Sequence, residues 1–186
     1  TLRGMRQPRT FAVKLPKTLA TATDIAPALR GLVSKSGLHF VLAHRANDQV
    51  LGYVNGRELA RYSRQGPVTP DHVIRTKPRP LILPAPDAAS LDTFAAKARK
   101  AVERYQADYR RYFARHNARA APKKRPLGAM PRVILVPGVG LFALGCPVHV
   151  ASNIRIVGGT MGTVELAVGI HCLGGAGKLP VLGQRS

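Results

Sequence analysis

The chain has 186 residues, 45% of them hydrophobic, with a mean hydropathy of −0.04, which is enough to bury a core in one or two domains. Its best apolar run, 133-VILVPGVGLFALG-145, is 13 residues long and broken by Pro and Gly, too short for a bilayer span, and no secretory signal is read. Twenty-nine Lys and Arg against nine Asp and Glu give +20, a field that draws nucleic acid, anionic lipid or phosphorylated metabolites and says little about fold.

The chain opens on Thr1 with no methionine, so it is read as a fragment or processed product. Cys146 and Cys172 lie 26 positions apart with no CxxC spacing. They make neither a disulfide framework nor a zinc knuckle, and a reducing, cytoplasmic home is the default.

Residues 22–36 read as a first helix, capped by Thr23 or Asp24, with Ile25, Leu29, Leu32 and Val33 on one face and Gly37 as its stop. Strands are expected at 38-LHFVLA-43 and, weakened by its glycine, at 50-VLGYV-54. Asn55-Gly56 is turn chemistry, and 57-RELARYS-63 a short helix. In 69-TPDHVIRT-76, Thr69 suits an N-cap, Pro70 the first helical position, and Asp71 the positive end of the helix dipole. Lys77-Pro78 ends that turn, and 80-PLILP-84 is a short buried strand.

The clearest element spans 88–117. Leu91, Phe94, Ala98, Val102, Tyr105, Tyr109 and Tyr112 mark an apolar stripe, with Lys97, Lys100, Arg104, Arg111 and Arg115 on the opposite side. An exposed loop over 117–131 leads to the interior strand 132-RVILV-136 and the turn at 137–140. From Cys146 onward, eight of 41 residues are glycine, and 158–170 offers at most a poor strand pair.

Four chemistries can be weighed. Between Lys97 and Arg125 stand eleven Lys/Arg and two acids, a salt-sensitive phosphate-binding composition, although the tyrosines there read as core rather than base-stacking. The Gly138-x-Gly140 turn fails as a dinucleotide site because Ala143 stands where a third glycine is needed, and no acid lies near position 160. Six histidines form neither HxH nor HExxH, so a metal site needs long-range assembly, with His72 its candidate ligand. The free amides of the 70–76 turn, with Arg75 and Lys77 nearby, suit a phosphate, although Asp71 competes for the helix end.

The stretches 69-TPDHVIRTK-77, 105-YQADYRRYFARH-116 and 132-RVILVPGVGLFALG-145 together resemble the bifunctional proteins that join a class II aldolase/adducin-type region to a short-chain dehydrogenase region. These are of the rhamnulose-phosphate aldolase/alcohol dehydrogenase type. The resemblance runs from about Leu2 to Gly145. It implies an α/β fold of three α/β/α layers, incomplete here, and divides the chain into 1–145 and a poorly specified tail, 146–186. It further implies a zinc-dependent retro-aldol cleavage of a sugar phosphate, and an NAD-linked domain beyond these residues. In class II aldolases the metal sits on a His-x-His pair and a later His-Gly turn, with an acidic residue as acid/base. His72 matches part of the first motif, whereas the later turn reads Pro137-Gly138.

The resemblance therefore implies an aldolase-like unit without a complete metal set, lying between an aldolase half and a dehydrogenase half of a longer parent. It would supply scaffold and phosphate contacts through His72, Arg75 and Lys77; no catalytic residue is assigned and no cofactor is assured in this chain. Related proteins continue into an acidic, Trp- and Tyr-bearing helical region that the tail lacks, which a shifted reading frame or a truncation would explain. Two other readings remain open: a basic nucleic-acid-binding module on the 97–125 cluster, and an interaction domain using Tyr105–Tyr112 as a homo-oligomer face. No membrane partner is expected.

Overall fold

A computed structural model describes residues 12–34, 40–66 and 76–145, and the backbone of 154–158 and 164–168. Helix α1 (Ala22–Val33) starts at Thr21, not at Thr23 or Asp24. The Thr21 hydroxyl accepts from the Asp24 amide at 3.3 Å, and the Asp24 carboxylate accepts from the Thr21 amide at 2.8 Å. This is a capping box, which satisfies two otherwise orphaned donors. The Thr21 hydrogen bonds also hold the Asp24 carboxyl below its ordinary range. Ile25, Leu29, Leu32 and Val33 are buried as their spacing predicts.

Strand β1 (Val41–Arg45) lies slightly later than the expected 38–43. The expected strand at 50–54 is instead helix α2 (Asp48–Val54). Its start lies upstream, where the Asn47 side chain accepts from the Val50 amide at 2.9 Å. Val50, Tyr53 and Val54 then fall on one helical face and are buried. A one-turn helix α3 (Leu59–Tyr62) follows.

Strand β2 (Leu81–Ile82), helix α4 (Leu91–Asn117) and strand β3 (Val133–Val136) form a crossover unit, because β2 and β3 pair in parallel. Parallel neighbours require such a long return, and α4 supplies it. Strand β4 (Gly140–Gly145) turns back antiparallel on β3 and also pairs antiparallel with β1. The sheet order is β1-β4-β3-β2. A strand therefore follows the 137–140 turn, as befits a hairpin and not a dinucleotide-binding strand-to-helix corner.

Alternation along β3 and β4 builds two cores. Ile134, Val136, Phe142 and Leu144 meet α1 and α4 on one face. Val133, Leu135, Leu141 and Ala143 meet α2 and α3 on the other. Every residue of β3 and β4 is buried, because helices cover both faces. The result is the expected α/β architecture, with helices on either side of a mixed sheet. Strands β5 (Ile154–Gly158) and β6 (Val164–Val168) make a separate antiparallel pair, which begins before the stretch expected from sequence.

Candidate anion-binding groove

Helix α4 is longer than the sheet it covers. Its buried residues are Phe94, Ala98 and Val102, so its later turns run beyond the core. Lys97, Lys100, Arg104, Arg111 and Arg115 recur at intervals that keep them on one flank, roughly a third of a turn from the apolar stripe. They line a groove between α4 and the segment Pro78–Ile82. Arg64 and Arg79 contribute two more cations. Among the described residues Asp108 is the one carboxylate lining it, and it pairs with Arg111.

Of the tyrosines in the expected apolar stripe, Tyr105 packs against the core while Tyr112 stands exposed. Tyr105, Tyr109 and Tyr112 all line the groove, and Tyr112 is 40% exposed. Tyr105 donates its hydroxyl to the Arg79 carbonyl at 2.7 Å, fastening one wall of the groove to the other. Burial, then the neighbouring Tyr109, pushes the Tyr105 phenol up. Tyr112 stacks obliquely on His116, with ring centres 4.5 Å apart.

Behind this groove lies Lys77. It is 4% exposed, and its ammonium sits 3.7 Å from the centre of the Tyr109 ring. Its backbone has φ +68, a left-handed conformation that disfavours residues with a Cβ. Burial, then the charge of Arg132, pulls its amine down to about 8. Among the described residues no carboxylate forms an ion pair with it. Backbone strain, burial and the like charge of Arg132 thus converge on one residue whose neighbours, Pro78 and Tyr109, both line the groove.

On the far side of the sheet's hairpin, the turn 137–140 is held by other means. The Gly138 amide donates to Asn55 Oδ1 at 2.6 Å, and His44 Nε2 lies 3.0 Å from the Val139 carbonyl oxygen. The His44 ring also packs on Phe142 with centres 4.8 Å apart.

A family model described as "Aldolase class II, second domain" matches residues 20–157. The chain belongs to this family. It is also 31% identical over 122 residues to a Bacillus subtilis (strain 168) protein named "Uncharacterized oxidoreductase YuxG". That match covers 65% of this chain but only 17% of the relative, so the chain spans a small part of the relative's length. No solved structure matches significantly.

Zinc is the metal implied by the class II aldolase resemblance, and its candidate ligand His72 lies outside the described residues. Among them no three His, Cys, Asp or Glu side chains converge. His44 is engaged with Val139 and Phe142, and the 137–140 turn is pinned by an amide side chain. Of the residues expected to contact phosphate, His72 and Arg75 lie outside the described residues. Lys77 is described and lies beside the groove. Sequence reading missed Arg64 and the exposure of Tyr112. The available signal was the 3–4 spacing of the cations, which sets them on a flank adjoining the tyrosines and not opposite them. Among the described residues no helix is long and apolar enough to cross a membrane.

Proposed function

We propose that this chain is an aldolase-type unit of a longer protein of the rhamnulose-phosphate aldolase/short-chain dehydrogenase type. Its part is to form the scaffold and hold the phosphate of a sugar-phosphate substrate. Lys77 carries the reading. A lysine held at φ +68, with burial and Arg132 together bringing its amine down to about 8, costs stability, and such costs gather at working sites. Membership of the class II aldolase family supports the aldol side. The relative's name, oxidoreductase, agrees with a dehydrogenase region elsewhere in the longer protein.

On this reading the phosphate contacts are His72, Arg75 and Lys77, with Arg79 at the open edge. A phosphate dianion near Lys77 favours its ammonium form, so binding draws in a proton between pH 8 and 10. Any zinc of the aldol step, and the NAD of the redox step, would be held by other parts of the longer protein.

The test is calorimetric titration of the 186-residue chain with rhamnulose 1-phosphate, rhamnulose and inorganic phosphate. The phosphorylated sugar should bind at pH 7.5, the free sugar should not, and Lys77→Met should weaken binding at least tenfold. Equal heats for the two sugars, or an unaltered Lys77→Met variant, would rule the reading out.

A further inference from the structure

The α4 groove is larger than a sugar phosphate requires. From Lys97 to Arg115 the cations extend about 27 Å along the helix axis in two groups, Lys97–Lys100–Arg104 and Arg111–Arg115, with steps of about 4.5–6 Å inside each group and about 10.5 Å between them, where Asp108 stands. A single phosphate group can engage two or three of these side chains and leaves the rest unused. The row also opposes folding. Lys97–Lys100, Lys100–Arg104 and Arg111–Arg115 are like-charge pairs at i,i+3 or i,i+4, each destabilising by about 0.2–0.5 kcal/mol. Among the described residues Asp108 relieves it, through Arg111.

The apolar side of the same groove is aromatic. Tyr105, Tyr109 and Tyr112 sit at i, i+4 and i+7, and Tyr112 offers a partly open ring beside Arg111 and Arg115. Two groups of cations, each spaced like neighbouring phosphates of an extended strand, beside an aromatic ring that has one neighbour in His116 and is 40% exposed, form an arrangement that suits a strand with unpaired bases. A duplex keeps its bases stacked and has no use for the ring. A polyanion without bases would use the cations alone.

We infer that this groove binds single-stranded nucleic acid, its backbone along the α4 cations and a base against Tyr112. This rests on the α4 row and does not depend on the aldol reading. Four or five neutralised phosphates give a slope of log affinity on log salt of about −3. One stacked base is worth roughly 5- to 150-fold in affinity.

Fluorescence anisotropy of labelled (dT)20 with the 186-residue chain tests this, with inorganic polyphosphate as the ligand lacking bases. Binding at 50 mM salt should weaken about 50- to 100-fold at 200 mM. Lys100→Glu combined with Arg104→Glu should cost at least tenfold for both ligands. Tyr112→Ala should weaken (dT)20 at least fivefold and leave polyphosphate unchanged, whereas Tyr112→Phe should bind like the parent. Circular dichroism melting verifies that these exposed substitutions leave the fold intact. The inference is overturned by no binding at 50 mM salt, by a charge reversal without effect, or by Tyr112→Ala affecting both ligands equally or neither.

Discussion

The Lys77 ammonium lies 3.7 Å from the centre of the Tyr109 ring, a cation against an aromatic face at a nearly dry position. The ring's negative face returns part of the hydration the ammonium has lost. It does not return all of it, since burial and Arg132 together bring the amine down to about 8 from an ordinary 10.5.

That depression makes stability depend on pH with a definite sign. Between about pH 8 and 10.5 the unfolded chain keeps the Lys77 proton while the folded chain has lost it, so stability rises with pH across that window. The gain is on the order of 2 kcal/mol. Tyr53 and Tyr105, whose buried phenols are pushed up, work the other way above pH 10 and set the upper limit of the rise. Urea denaturation at pH 7, 8, 9 and 10 reads this directly. Lys77→Met should be more stable than the parent at pH 7 and should flatten the rise; a parent curve already flat from pH 8 to 10 would contradict the assignment.

How much of this could be read from sequence depended on periodicity and length. The 27 residues of α4 carry a helical stripe over many turns, and β3 is a continuous branched run, so both were legible. The segment 50-VLGYV-54 is too short to show a period, and the Asn47 cap that decides it stands outside the apolar run. The groove was illegible for another reason. Arg79 reaches the α4 cations because the β2–α4–β3 crossover lays the helix back beside the strand that precedes it, and Arg64, just after α3, joins the same groove from a distant part of the chain. Tyr112 has stripe spacing, yet the stripe outruns the sheet, so spacing alone assigned it to a core whose α4 contacts reach only as far as Tyr105.

Two glycines in the hairpin should differ in what they tolerate. Gly140 has φ +130, and a Cβ there would lie 2.3 Å from the Arg45 carbonyl oxygen, an atom fixed in the β1–β4 ladder. Gly138 has φ +81, and its Cβ would meet the methyl ends of Leu19 at 2.8 Å, which can rotate away. Gly140→Ala should therefore cost about 3 kcal/mol or more, through strain together with displaced backbone. Gly138→Ala should cost about 1–2 kcal/mol, chiefly from its left-handed backbone. Urea midpoints of the two variants establish the order, and a larger loss at Gly138 would refute the argument.

Asn55 joins three segments distant in sequence. It closes α2, its backbone carbonyl accepts from the Val13 amide at 2.6 Å, and its side chain accepts from the Gly138 amide at 2.6 Å. Removing the side chain leaves the Val13 bond in place and deprives Gly138 alone. Asn55→Ala should therefore cost about 1–2 kcal/mol, the usual consequence of leaving a partly buried donor unmet. Asn55→Asp keeps an oxygen at the same reach and should recover much of that loss. Hydrogen exchange separates this local effect from general destabilisation. In Asn55→Ala the Gly138 amide should exchange far faster while the β3–β4 ladder amides slow or quicken only with global stability. An unchanged Gly138 amide would mean that the turn is held by its Val139–Val136 backbone bond and not by Asn55.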